Sequence, residues 1–227
     1  MSHYVAIVIP AYNESEVIGD VIEEVHAAGA YQIIVVDDGS RDGTYDTASS
    51  YPGVIPLRHK INRGKGAATK TGIVAAKRLG ADIVVTMDGD GQHDPTDIEG
   101  LIRPIVDGSC DVTLGTRPKI KGEMPLIKII ANKVGNIVTW LLYGLHVSDS
   151  QSGFRAYSRY AATIIDTKAD KYEYDSKVIR EINSNRLRFA EVPIKVRYTE
   201  YSMGKPQKQG FVNGLKTLVR MIWSMLV

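Results

Sequence analysis

The feature that most restricts what this chain can become is an alternation in its first half. Four apolar, β-branched runs of strand length occur there: Val5–Ile9, Ile33–Val36, Val54–Leu57 and Ile83–Met87. Between them, apolar residues recur at helical spacing. The first such segment carries Val17, Ile18, Val21, Ile22 and Val25, with Asn13 and Ser15 placed to cap it and Gly29 to stop it. A shorter helix opens at Ser40 and Asp42 and runs to residue 50. A third begins after Gly66, carries Ile73, Val74 and Leu79, and stops at Gly80. Strands that alternate with helices pair in parallel, and a parallel sheet needs both faces covered. The expectation is a doubly wound, mostly parallel α/β sheet whose ligands collect beyond the carboxyl ends of the strands.

Past residue 110 the rhythm changes. A strand at Val112–Leu114 leads into a Gly/Pro/Lys loop, Gly115 to Pro125, and then a helix over 126–145. A short segment, Gly153–Tyr157, a helix around Asp175–Asn185 and an alternating stretch, Arg188–Val196, follow. No repeat, low-complexity tract or linker divides the chain, so residues 1–209 read as a single domain. Residues 210–227 read as an amphipathic helix, with Phe211, Leu215, Leu218 and Ile222 opposite Lys216 and Arg220. It suits a membrane interface or the protein's own core. No cleavable signal is visible at the start, and no run of about 18 uncharged apolar residues exists to span a bilayer. The expected location is cytoplasmic, with contact at the membrane surface open. The one cysteine, Cys110, excludes a disulfide framework and reads as buried filler.

The chemistry gathers where the strands end. Ile33–Val36 runs into Asp37-Asp38-Gly39-Ser40, and Ile83–Met87 runs into Asp88-Gly89-Asp90-Gly91-Gln92-His93-Asp94. Neighbouring parallel strands would thus bring carboxylates to one rim. Residues two apart in an extended segment point the same way, so Asp88 and Asp90 can aim at one point. Two carboxylates beside the Gln92 oxygen make a hard site for Mg2+ or Mn2+. A calcium loop using Asp88, Asp90, Gln92 and Glu99 is disfavoured, because His93 stands where that loop needs glycine. A purely structural turn is the bland alternative. His93 either touches the metal or a phosphate or packs beside the turn. Asn62-Arg63-Gly64-Lys65-Gly66 is no Walker loop, yet it sets two cations ahead of a helix N-terminus, a favourable place for an anion. The net charge of +2 conceals a division. Residues 1–110 carry 9 Lys and Arg against 16 Asp and Glu, whereas residues 111–227 carry 19 against 10. The acidic half suits a cation and the basic half an anionic partner.

Four segments in register carry a resemblance. Val35-Val36-Asp37-Asp38-Gly39-Ser40, Asn62-Arg63-Gly64-Lys65-Gly66, Asp88-Gly89-Asp90-Gly91-Gln92 and Ser152-Gly153-Phe154-Arg155 resemble the inverting family 2 glycosyltransferases of the GT-A fold. The nearest branch is the dolichyl-phosphate (polyprenyl-phosphate) sugar synthases. The resemblance implies a Rossmann-like sheet in which Pro10, Tyr12, Glu14 and Asp38 line a nucleoside pocket. Asp88, Asp90 and Gln92 would hold a divalent ion on the diphosphate, with Lys65 nearby. It also implies a nucleotide diphosphate sugar donor, a polyprenyl or dolichyl phosphate acceptor, a membrane surface as partner and no nucleic acid. Arg117 and Arg155 would clamp the acceptor phosphate, since a guanidinium pairs bidentately with phosphate. Asp175 is a candidate for orienting the acceptor. The late helix departs from the pattern by carrying Lys177 where relatives have a second acid, and Thr199 stands where an Arg is usual. These departures tilt the donor toward a UDP sugar over GDP-mannose.

The chemistry agrees. A departing nucleotide develops charge that a divalent ion stabilises. A phosphate monoester, with a second pKa of about 6, is already ionised and needs no strong base. Three rivals remain at this stage. The first is a family 2 enzyme with a soluble or saccharide acceptor, for which Asp175 would be the base. The second is a nucleotidyltransferase, which lacks its expected Gly-rich loop after Ile9-Pro10. The third is a catalytically silent scaffold.

Overall fold

The computed structural model describes residues 3–117, 136–167, 170, 173–197 and 201. Its elements run β1 (Val5–Ala11), α1 (Ile18–Ala28), β2 (Gln32–Asp37), α2 (Thr44–Ser49), β3 (Val54–Arg58), α3 (Lys65–Arg78) and β4 (Ile83–Thr86). A 3-10 turn, Pro95–Asp97, then leads into α4 (Ile98–Val106) and β5 (Val112–Thr116). After α5, described over 136–143, come β6 (Arg155–Ser158), α6 (Arg159–Ile164), α7 (Glu173–Ser184) and β7 (Phe189–Pro193). The C-terminal helix expected at 210–227 and the first part of the helix expected at 126–145 lie outside the described residues.

Seven strands form a sheet in the order β3-β2-β1-β4-β6-β5-β7. β1, β2, β3 and β4 are mutually parallel, and β5 pairs in parallel with β7. Between these two groups β6 is inserted antiparallel to both β4 and β5. The expected mostly parallel, doubly wound architecture therefore holds, with β6 the exception. Alternation in each strand splits the core into two layers. Ala6, Val8, Ile34, Val36 and Val84 pack with α3, α6 and α7 residues on one face, while Ile7, Ile9, Ile33, Val35 and Val85 pack with α1 and α4 residues on the other. Cys110 is buried, as its apolar setting suggested.

The expected cap of α1 is corrected. The helix begins at Ile18, and no side chain caps it. Asn13 instead adopts a left-handed backbone with φ 54°, and its Oδ1 accepts from the Arg41 amide at 2.9 Å. The Ser15 amide donates to Asp42 at 3.2 Å. Polar residues that look like helix caps thus tie the loop after β1 to the loop after β2, so the two strand ends are held together.

Candidate active site

The ends of β2 and β4 do not lie on adjacent strands, as the sequence suggested; β1 runs between them. Their acids are nevertheless linked through the loop that precedes α3. Asp38 is buried, and its oxygens accept from the amides of Arg63 at 3.0 Å and Gly64 at 2.7 Å. His59 Nδ1 lies 2.7 Å from the same carboxylate, and His59 Nε2 lies 2.9 Å from the Thr71 hydroxyl. Gly39, at φ +74°, permits this loop to close in, because a Cβ there would stand 2.7 Å from the Ile61 carbonyl carbon. Asp38 therefore braces the loop from beneath. The loop in turn delivers Lys65, whose Nζ stands 2.7 Å from Asp88 Oδ1 and 3.4 Å from Asp175 Oδ2.

The two acids of the Asp88–Asp90 segment are held in opposite states. Burial alone would push the Asp88 carboxyl up, but Lys65, then His93 and Arg117, pull it down to about 2. Asp90 is raised to about 6, first by burial and then by the charges of Asp88 and Glu14; a bond from the Gln92 amide at 3.1 Å offsets this only in part. Like charge crowded beside a partly buried carboxylate is what a cation would relieve. Among the described residues no three His, Cys, Asp or Glu side chains converge into a metal cage. Two carboxylates on one turn would suit a hard divalent ion only if other ligands completed its shell. Gln92 is half-buried, and its carbonyl accepts from the Arg197 amide at 2.8 Å.

His93 packs beside the turn, stacked on Phe154 with ring centroids 4.8 Å apart, and its Nδ1 accepts from the Asp88 amide at 3.3 Å. Burial drives its pKa down to about 4, so at neutral pH it is an uncharged acceptor that shapes the loop. Glu99 is exposed on α4, so the calcium-loop arrangement does not form. Pro10 pairs with Val36 near the end of β1, and Tyr12 follows the strand; both are half-buried. Glu14 is buried, and its carboxylate accepts from the Tyr201 hydroxyl at 2.9 Å.

Gly153 matters for space rather than for backbone freedom. A Cβ there would stand 2.6 Å from Lys65 Nζ and 2.8 Å from Asp88 Oδ1. The Ser152-Gly153-Phe154-Arg155 segment thus lies against the Lys65–Asp88 pair. Arg155 itself is corrected. At 1% exposure it does not reach an open surface. Its Nη2 donates to the carbonyls of Ser150 at 3.0 Å and Asp175 at 3.1 Å, and it lies 3.6 Å from Asp175 Oδ1. It backs Asp175 from inside the protein, because β6 is an interior strand of the sheet. Arg117 is partly exposed and pairs bidentately with Asp149. Asp149, His59 and Tyr201 are site neighbours that the sequence reading did not assign. The only signal for Asp149 was its place three residues ahead of Ser152.

Residues 6–164 match the model of glycosyl transferase family 2. The chain belongs to this family. It is a glycosyltransferase of the GT-A fold, and the matched span carries every site residue above except Asp175, Arg197 and Tyr201. Two curated relatives are similar along most of their length. A UDP-N-acetylglucosamine–dolichyl-phosphate N-acetylglucosaminyltransferase of Methanococcus voltae is 40% identical over 88% of this chain and 88% of its own. A polyprenol monophosphomannose synthase of Mycolicibacterium smegmatis is 31% identical over 90% of this chain and 80% of its own. Among solved structures, glucosyl-3-phosphoglycerate synthase of Mycobacterium tuberculosis, in complex with Mn2+, UDP and glucosyl-3-phosphoglycerate, covers 99% of this chain and 79% of its own. Its TM-score is 0.72 at 21% identity, a likeness of fold.

Proposed function

We propose that this family 2 glycosyltransferase uses Mg2+ or Mn2+ to move a sugar, with inversion, from a UDP sugar to a polyprenyl (dolichyl) phosphate. The work would be done peripherally, at the cytoplasmic face of a membrane. The observation that carries the reading is the Asp88–Asp90 pair, in which Lys65 compensates one carboxylate and like charge crowds the other. The relatives above support the acceptor and, through the 40% identical one, the uridine donor.

In this reading Pro10, Tyr12, Glu14 and Asp38 frame the nucleoside end of the donor, and Asp88, Asp90 and Gln92 would hold a divalent ion. The ion, when bound, offsets the charge that develops on the leaving nucleotide. Lys65 adds a second cation at the same place. An oxygen of the acceptor phosphate bonds to the anomeric carbon from the face opposite the nucleotide, and the carbon–oxygen bond to the diphosphate breaks with its electron pair. No proton has to be removed from an ionised phosphate. Arg117 meets the acceptor phosphate, and Arg155 steadies Asp175 from behind. Asp175, flanked by Lys65 and Arg155, is better suited to hold these cations in place than to deprotonate a hydroxyl, which counts against a saccharide acceptor.

No helix among the described residues is long and apolar enough to cross a membrane. The described part of α5 exposes Ile137, Trp140 and Leu141, which lie three and four residues apart on one face, a pattern suited to a lipid interface. The basic residues Lys119, Lys121, Lys128 and Lys133 precede it in the sequence. The test is incubation of the protein with labelled UDP sugar, Mn2+ and a polyprenyl phosphate, followed by solvent extraction. Label in the organic phase is expected; label confined to water-soluble products refutes the acceptor.

A further inference from the structure

Helix α3 begins at Lys65, and Gly64 at its N-cap position offers no side chain to cap it. Its entry is held from elsewhere in the fold. The Asp170 carbonyl accepts from the Ala67 amide at 3.0 Å. The Asp38 carboxylate accepts from the amides of Arg63 and Gly64, the two residues ahead of the helix. Asp38 is in turn gripped by His59, whose Nδ1 lies 2.7 Å from Oδ1.

The imidazole lies between two fixed partners. The His59 side chain is 10% exposed and that of Asp38 3%. A carboxylate only accepts, so the Nδ1 facing it carries a proton and donates. Nε2 lies 2.9 Å from the Thr71 hydroxyl, which also bonds to the Ala67 carbonyl one turn back at 3.0 Å. A hydroxyl both donates and accepts, so it satisfies Nε2 with or without a proton on that nitrogen. The ring is thus held at both ends, with its Nδ1 donor aimed at Asp38. Where β3 ends, the His59 amide donates to the Asp37 carbonyl at 2.9 Å and anchors the residue itself.

These bonds close a circuit. Thr71 and Lys65 share α3, so the helix that carries Lys65 also steadies the imidazole that steadies Asp38, and Asp38 fixes the approach to Lys65. The circuit ends at Lys65 Nζ, 2.7 Å from Asp88 Oδ1 and 3.4 Å from Asp175 Oδ2. Placement matters at such a point, since a displacement of about 1 Å at a reacting centre can cost about 100-fold in rate.

We propose that His59 is a positioning residue for Lys65. By donating to Asp38 it locks the loop of residues 59–64, and so sets the ammonium against Asp88 where the nucleotide departs. This rests on the reading above in which Lys65 serves the donor.

The test uses the full chain, with labelled UDP sugar, Mn2+ and a polyprenyl phosphate for turnover, and amine acetylation read by mass spectrometry for geometry. His59→Asn keeps an amide donor near the place of Nδ1. His59→Gln reaches toward Nε2 instead, and His59→Ala keeps neither contact. His59→Gln and His59→Ala are expected to lower kcat/KM for the donor by about tenfold with the acceptor KM nearly unchanged, and His59→Asn to recover most of that loss. Without metal or substrate, Lys65 should be acetylated about threefold faster in the two defective variants, while Lys77 at the far end of α3 keeps its wild-type rate. In the Lys65→Met background His59→Gln should cause no further loss, because His59 acts through the lysine. Equal defects in His59→Asn and His59→Gln, an unchanged Lys65 acetylation rate, a rise shared with Lys77, or a further loss beyond Lys65→Met each overturn the proposal. Lys65→Met with a wild-type donor kcat/KM overturns instead the reading on which it rests; the acetylation arm still decides the geometry, since it needs neither donor nor acceptor.

Discussion

Replacing Asp90 by Asn separates the metal site from the stability of the fold. In the protein without metal, burial and the charges of Asp88 and Glu14 raise the Asp90 carboxyl from 3.8 to about 6. At about 1.36 kcal/mol per pKa unit, holding that carboxylate ionised at neutral pH costs the folded state about 3 kcal/mol. The sign follows from proton counts. Between pH 3.8 and 6 the folded protein binds more protons at this position than the unfolded chain, so stability falls as pH rises through the window and stays low above it. Asn is neutral at every pH, nearly isosteric, and keeps an oxygen for the Gln92 amide. Asp90→Asn should therefore be the more stable protein at pH 7.5 in chelator, with Tm higher by about 6–12 °C for a chain of this size. The gain should vanish near pH 4, where wild-type Asp90 is protonated. Transfer should be abolished, and Mn2+, which stabilises the wild type by binding its folded state, should no longer raise Tm. Thermal melts with and without Mn2+ at pH 4 and 7.5 decide the matter. A Tm at or below wild type in chelator at pH 7.5, or a gain as large at pH 4, would refute the reasoning.

Gly153→Ala should cut turnover sharply while destabilising the fold by about 1–3 kcal/mol, because the added methyl displaces the Lys65–Asp88 pair; kcat and a thermal melt report the two effects. Lys65→Met should leave Asp88 and Asp90 uncompensated and lower Tm in chelator, and Mn2+ should restore part of the loss. A Tm insensitive to Mn2+ would argue against a shared cation site. Urea midpoints of the metal-free wild type should carry two opposed contributions. Asp88, at about 2 in the fold, adds stability that is present above pH 3.8 and lost as pH falls toward 2, whereas Asp90 removes stability between 3.8 and 6. Replacing Ile137, Trp140 and Leu141 together by Ser should weaken sedimentation with anionic vesicles and leave UDP binding intact; unchanged sedimentation would remove α5 from the membrane surface.

Much of the site could be read without coordinates where one short segment carries it. The Asp88-Gly89-Asp90 turn after an apolar run, and the loop Asn62–Gly66 before a helix, are local patterns, and Lys65 joins the two. Asn13 and Ser15 misled because a cap and a loop-to-loop tie use the same residue types. Arg155 misled because a phosphate clamp and a buried prop are both arginines, and only the burial of β6 tells them apart. Asp149 passed without assignment because its partner lies 32 residues away in sequence.

Apolar periodicity and turn residues act over a few neighbouring positions. The order of β1 to β4, the helices between them and the placing of acids at strand ends therefore follow from the amino-acid sequence alone. The insertion of β6 between β4 and β5 does not, nor do the meeting of Lys65 with Asp175 across 110 residues and the side-on grip of Asp149 on Arg117. Those depend on which strands become neighbours in space, and this is settled only when both faces of the whole sheet are covered at once.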